Sequence, residues 1–215
     1  MLGPVLIHAL DDVICDFLAT SPEGASLGIK EDVVGNGSIT GVSVTIADNQ
    51  IADMVYGAQI TTTGAGNVTA NDNLVIVDGG TVNETIYGGY AMATTGAATA
   101  SNNTVDLKSG TLKKNEDGSG VVNVYGGHAE GAKTESENNT LKVHNPFTVN
   151  SVQDFQNYEF YIPVDVSNVN ALLTGTSPVN LAATDEISVK AIDSALVKGN
   201  TVNLINKVFP FACRA

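Results

Sequence analysis

The sequence predicts an all-β protein wound as a parallel β-solenoid. Three observations carry that reading. A tyrosine–glycine phrase recurs three times: Met54-Val55-Tyr56-Gly57-Ala58, Thr85-Ile86-Tyr87-Gly88-Gly89-Tyr90-Ala91 and Asn123-Val124-Tyr125-Gly126-Gly127-His128-Ala129. Apolar residues between the phrases alternate with period two, and no window has a convincing 3.6-residue apolar period. The copies are spaced by roughly 30 to 38 residues, as expected of stacked equivalent units and not of a globule with one centre.

The elements follow in chain order. Residues 1–40 form an N-terminal segment or cap. Met1 to Ala19 starts apolar but lacks a positive leading region and carries Asp11, Asp12 and Asp16, so it makes a poor signal peptide. Residues 41–143 hold the repeats. Shifting the chain by 31 places Val44–Gly57 on Val75–Gly88 without a gap, and Val44, Ile46, Ile51 and Val55 fall on Val75, Val77, Val82 and Ile86. A third copy supplies Val105, Leu107, Leu112 and Val124, with about eight extra residues around Lys114–Gly120, a polar turn-forming run expected as a loop.

Each unit has a second half. Gly64-Ala65, Gly96-Ala97 and Gly131-Ala132 open it, and Asn73, Asn103 and Asn139 each lead a short strand. In those strands Val75 and Val77 point inward, while Ile76, Thr45 and Asp106 point outward. Stacking at about 4.8 Å turns equivalent side chains into ladders, one of Asn73, Asn103 and Asn139 and one of Tyr56, Tyr87 and Tyr125. Residues 144–215 change character and read as a degenerate solenoid end or β-cap, with strands over Asn157–Pro163, Ala171–Thr174, Glu186–Lys190 and Thr201–Ile205.

Composition narrows the function. The net charge is −13 with only ten Lys and Arg, which disfavours nucleic acid and anionic membrane surfaces as partners. No apolar run is long enough for a membrane-spanning helix. Cys15 and Cys213 lie near opposite ends of an elongated stack, so no disulfide is expected. No zinc-type spacing, EF-hand loop or nucleophile motif is present, and neither a metal nor a cofactor is expected.

The candidate binding residues are Tyr56, Tyr87, Tyr90 and Tyr125. A row of aromatic rings can stack on sugars or form a protein contact, or the tyrosines can stack on one another and simply build the fold. His128 occupies the position of Tyr90 in the preceding copy and is read as a surface histidine. A catalytic alternative rests on Asp53 and Glu84, which the 31-residue shift aligns. Paired carboxylates on one face are what polysaccharide hydrolysis or elimination requires, but the third copy has Val122 there.

Two phrases carry a family resemblance: Ile86-Tyr87-Gly88-Gly89-Tyr90-Ala91 and Asn102-Asn103-Thr104-Val105-Asp106-Leu107-Lys108-Ser109-Gly110. They resemble the repeats in passenger regions of bacterial autotransporter (type V secreted) surface proteins. Phe155–Pro163 and Leu196–Ile205 are similar to the segment after those repeats. The resemblance spans residues 41–206 and implies a right-handed parallel β-helix, exported to the cell surface and often adhesive. It implies a host-surface glycan or protein as partner and no catalysis. Neither a signal peptide nor a C-terminal translocator barrel is recognisable in the chain, as expected of a fragment or a divergent relative. The expectation is therefore a non-enzymatic passenger fragment, adhesin-like or a stalk. The alternatives are a β-helix polysaccharide hydrolase or lyase, and a purely structural spacer.

Overall fold

A computed structural model describes residues 25–162, 171–179, 181–191 and 201–208. The described residues contain strands and turns without helix, and their parallel sheets stack as a β-solenoid of about five turns. The first sheet holds β1 (Ser26–Val33), β4 (Ile51–Thr62), β7 (Thr81–Ala93), β11 (Asn123–Glu130) and β15 (Ser151–Gln153), with β10 (Thr111–Leu112) beside β7. The second holds β2 (Gly37–Thr40), β5 (Val68–Asn71), β8 (Ala97–Thr99) and β12 (Lys133–Glu135). The third holds β3 (Ser43–Ala47), β6 (Leu74–Asp78), β9 (Thr104–Leu107), β13 (Thr140–Val143), β16 (Asn157–Ile162) and β18 (Glu186–Ala191). A fourth, at the later end, holds β14 (Phe147–Val149), β17 (Leu173–Val179) and β19 (Ile205–Val208). β1, β2 and β3 pair with β4, β5 and β6, so a coil of the stack is already present over residues 26–47.

Register follows the apolar pattern except at Ile51, which pairs with Thr81 and is exposed, while Ala52 takes the inward place opposite Val82. Val44, Val75, Val105, Leu141 and Tyr158 align in one inward column, and Ile46, Val77, Leu107, Val143 and Phe160 in the next. These ten are at most 6% exposed. A fully buried Val, Leu or Ile contributes roughly 1.5–3 kcal/mol, so these columns hold much of the stability. The turns at Gly79 and Gly110 have φ of 104° and 109°, a region that favours glycine.

The cross-section has two lobes. The large core fills the space between the first and third sheets, and a small core of Ile39, Ala58, Ile60, Val68, Ala70 and neighbouring alanines lies under the second sheet. Between them runs the asparagine ladder, with Asn73, Asn103 and Asn139 no more than 1% exposed. The Asn73 backbone N–H and Nδ2 both donate to Asn103 Oδ1 at 3.0 Å. Asn103 repeats this toward Asn139 Oδ1 at 2.8 and 3.2 Å, and its Nδ2 also donates to the Ala70 carbonyl. Asp72, Asn102, Asn138 and Asp154 each have φ of 56–61°. Short Asx side chains tolerate that left-handed geometry, and it is what turns the chain into the third face.

The small lobe closes before the large one. Its Ile39, Ile60 and Val68 give way to Ala91, Ala93, Ala98 and Ala100, and then to Thr134, which pairs with Ala98. The fifth turn skips the second face. Phe155, 4% exposed, packs into the large core there, and Gln156 Oε1 ends the ladder by accepting from the Asn139 N–H at 2.9 Å. The glycine that stacks beneath Gly96 is Gly66, not the expected Gly64: a Cβ on Gly96 would lie 1.8 Å from the Gly66 carbonyl oxygen. The last described strand starts at Ile205, later than expected, although the Asn203 and Leu204 carbonyls already accept from the N–H groups of Leu172 and Leu173. Met1–Ala19, Pro163, Cys15 and Cys213 lie outside the described residues.

Candidate binding face

The four candidate tyrosines meet on the outer side of the first sheet. Two consecutive inward residues break the strand alternation there: Gly57-Ala58, Gly88-Gly89 and Gly126-Gly127 are all buried. This bend lets one long strand cover both lobes, its first half over the large core and its second over the small one. It also sends residues on both sides of the pair outward, so Tyr87 and Tyr90 point to the same side. A backbone this close to the asparagine ladder leaves no room for a side chain: a Cβ on Gly88 would lie 2.3 Å from the Gly126 carbonyl oxygen and 2.9 Å from Asn103 Cβ.

The register gives two columns. One runs Gly28, Tyr56, Tyr87, Tyr125, Gln153, and the other Lys30, Gln59, Tyr90, His128. Tyr56 and Tyr87 stack at 5.1 Å and 10°, and Tyr87 and Tyr125 at 4.8 Å and 15°. Tyr90 meets Tyr56 and Tyr87 edge-on at 6.0 and 5.2 Å, and stacks on His128 at 5.2 Å. Lys30 Nζ lies 4.6 Å from the Tyr56 ring centre, a cation–π contact that closes the early end of the first column. At the other end Gln153 Nε2 donates to the Tyr125 hydroxyl at 3.3 Å.

The rings therefore spend their faces on one another. Such pairs are worth about 0.5–1.5 kcal/mol each beyond burial. What the block turns outward is ring edges and hydroxyls, and even these are partly engaged: the Tyr56 and Tyr90 hydroxyls lie 3.7 Å from the Met54 and Met92 sulfurs. Tyr56 is only 5% exposed. Burial pushes the Tyr87 hydroxyl up to about 12, with repulsion from Tyr125, Tyr56, Tyr90 and Glu130 adding to it. Burial also raises Tyr56, and it raises Tyr90 together with Glu130 and Tyr56. His128 is a surface residue beside Tyr90, its Nε2 2.7 Å from Glu130 Oε1.

The proposed carboxylate pair sits differently from the gap-free alignment. The register slips between Ala52 and Met54, leaving Asp53 opposite the Asn83–Glu84 step, and Asp53 Oδ1 accepts from Asn83 Nδ2 at 2.8 Å. A second polar cluster lies on the third sheet. His144 stacks on Tyr161 at 4.0 Å, its Nε2 is 2.9 Å from Asp106 Oδ1, and the Tyr161 hydroxyl donates to Glu159, which faces Lys142 at 3.7 Å. It escaped sequence reading because its members come from three coils of unequal length. Lys30 escaped too, because the first coil has Gly28 where the others have tyrosine and so lacks the recurring phrase.

No protein-family model, curated protein or solved structure matches the chain. Among the described residues no helix is long and apolar enough to cross a membrane.

Proposed function

We propose that this chain is a non-enzymatic passenger segment of a bacterial surface protein, acting as a stalk that holds a repetitive face away from the cell. The observation that supports this best is the aromatic block. Three coils donate five rings to one outward site, and the rings are consumed by stacking along the solenoid axis. Such packing stiffens a rod by tying each coil to the next. The autotransporter-like phrases in the sequence point the same way. Expressed with its flanking genomic sequence, the protein should be labelled by antibody on intact cells and removed by protease added outside. A protein protected until the cells are lysed would overturn the reading.

A second reading, adhesion, is favoured by the hydroxyl-bearing edges of Tyr87, Tyr90 and Tyr125, which remain partly exposed. A glycan array and a host-cell adhesion assay separate the two. Binding that is lost in Tyr87→Phe/Tyr90→Phe, which keeps the rings and removes the hydroxyls, selects the adhesin. Silence in both assays selects the stalk.

A further inference from the structure

The tyrosine pairs of the aromatic block are not equivalent toward oxidation. A phenol loses a single electron readily, and in the phenoxyl radical the unpaired electron is shared between the oxygen and the ring carbons ortho to it. Tyr87 on β7 and Tyr125 on β11 are in register, and their rings stack at 4.8 Å and 15°. This is the closest of the tyrosine pairs on the face, the others lying at 5.1, 5.2 and 6.0 Å. Parallel strands carry the two rings in the same orientation, so the Cε atoms of one ring face those of the next. Both side chains are half-buried, with their hydroxyl edges toward solvent. The Tyr125 hydroxyl accepts from Gln153, which leaves its proton free to depart. The other stacked pair is sheltered. Tyr56 is 5% exposed, the Lys30 ammonium lies 4.6 Å from its ring centre, and the Met54 sulfur lies beside its hydroxyl. A positive charge over a ring makes removal of an electron harder, and a neighbouring thioether takes up oxidant as sulfoxide. Tyr90 meets Tyr87 edge-on at 79°, so the two rings are not face to face.

We propose that Tyr87 and Tyr125 form an oxidative modification site, where a Cε–Cε bond makes a dityrosine that welds β7 to β11. Each tyrosine gives one electron and its phenolic proton to a one-electron oxidant of the peroxidase type, with hydrogen peroxide as the final acceptor. The two phenoxyl radicals pair at their ortho carbons. The hydrogens on those carbons then move to the oxygens and restore both phenols. In sum, two tyrosines and one hydrogen peroxide give one dityrosine and two waters. The stack supplies what free tyrosines lack, two reacting rings already held together in register. The bond closes a loop over residues 87–125 and so restricts the unfolded chain, as a disulfide does. The inference rests on ring geometry and stands independently of the stalk reading.

The test treats the full chain with a peroxidase and limiting hydrogen peroxide, isolates the monomer and digests it. Dityrosine fluorescence is expected in the monomer, with a linked pair of peptides, one holding Tyr87 and the other Tyr125, that is two hydrogens lighter than their sum. Tyr125→Phe keeps the ring in the stack and should lose the link, whereas Tyr90→Phe should keep it. The same treatment in guanidinium should lose the preference for this pair. The linked monomer should also unfold at a higher guanidinium concentration than Tyr125→Phe treated in the same way. A monomer without the linked peptides, or fluorescence confined to dimers, overturns the proposal. So does an equal yield from Tyr125→Phe or from the unfolded chain, and so do equal unfolding midpoints.

Discussion

At the scale of single residues the chain rests on side chains that repeat a bond. Asn103 is the clearest case. It accepts twice from Asn73 and donates to Ala70 and Asn139, all out of solvent. Replacing it by alanine strands the Asn73 N–H and Nδ2 and takes a donor from the Ala70 carbonyl, while Asn139 Oδ1 keeps the Asn103 backbone N–H. An unpaired buried polar group costs about 1–3 kcal/mol, so Asn103→Ala should lose roughly 2–4 kcal/mol in denaturant unfolding; a loss below 1 kcal/mol would mean the ladder is incidental. Tyr87 makes a prediction about pH. Its hydroxyl is raised to about 12 in the folded chain from an ordinary value of 10.0. A raised value means the folded state holds the proton more tightly than the unfolded state. The associated stability is therefore complete below pH 10 and is lost as pH rises toward 12. Guanidinium midpoints at pH 8 and pH 11.5 should fall further for the wild type than for Tyr87→Phe, which keeps the ring and has nothing to ionise. Equal falls would count against it.

At the scale of elements the bend in β4, β7 and β11 decides the cross-section. An alternating strand buries one face of one core. The paired inward residues at Gly88-Gly89 let a single strand serve two cores and bring Tyr87 and Tyr90 to one side. The position tolerates nothing larger, because a Cβ on Gly88 meets backbone at 2.3 Å. Gly88→Ala should therefore cost about 3 kcal/mol or more by overpacking. Gly118, in the exposed insertion, has nothing within 4 Å of its Cβ position and a φ of 81°. Gly118→Ala should cost only the left-handed penalty of about 1–2 kcal/mol. Thermal unfolding of the two variants side by side checks the ranking; equal losses would refute the crowding at the bend. The insertion is otherwise self-contained, bridged between Lys114 and Gly120 and held by Asn115, Asp117 and Ser119. Its expected place as a loop agrees with this. Its anchoring to a distant element had no sequence signal: the Gly120 N–H donates to Thr176 Oγ1 at 2.7 Å, and the Gly120 carbonyl lies 3.3 Å from the same hydroxyl.

At the scale of the whole molecule stability is a sum over neighbouring coils, as expected of a quasi-one-dimensional stack. The two lobes contribute unequally. The large core has ladders of Val, Leu, Ile and aromatic residues, while the small core is largely alanine above its first two coils. Less apolar area buried means a smaller opening free energy. Amides of β8 and β12 should exchange with solvent faster than those of β9 and β13 in the same coils, and the small lobe should open without the large one. Uniform protection around a coil would show that the lobes behave as a single unit.

The sequence by itself determined the fold class, because alternation and recurrence are local: period two selects strand, a repeat near 31 residues selects stacking, and buried apolar columns follow from the two together. It also determined that Tyr56, Tyr87 and Tyr125 lie together, since residues in register must be neighbours in a stack; that Tyr90 joins them depends on the bend. Only the tertiary structure decided what those tyrosines do. Whether a ring turns its face to a ligand or to the next ring depends on backbone direction at the bend, and the Gly-Gly pair sets that direction through its contact with the asparagine ladder. The second lobe was hidden because it arises at the same bend, and the Asp53 partner because the register slips between Ala52 and Met54; which residues either one brings opposite one another is settled only in space.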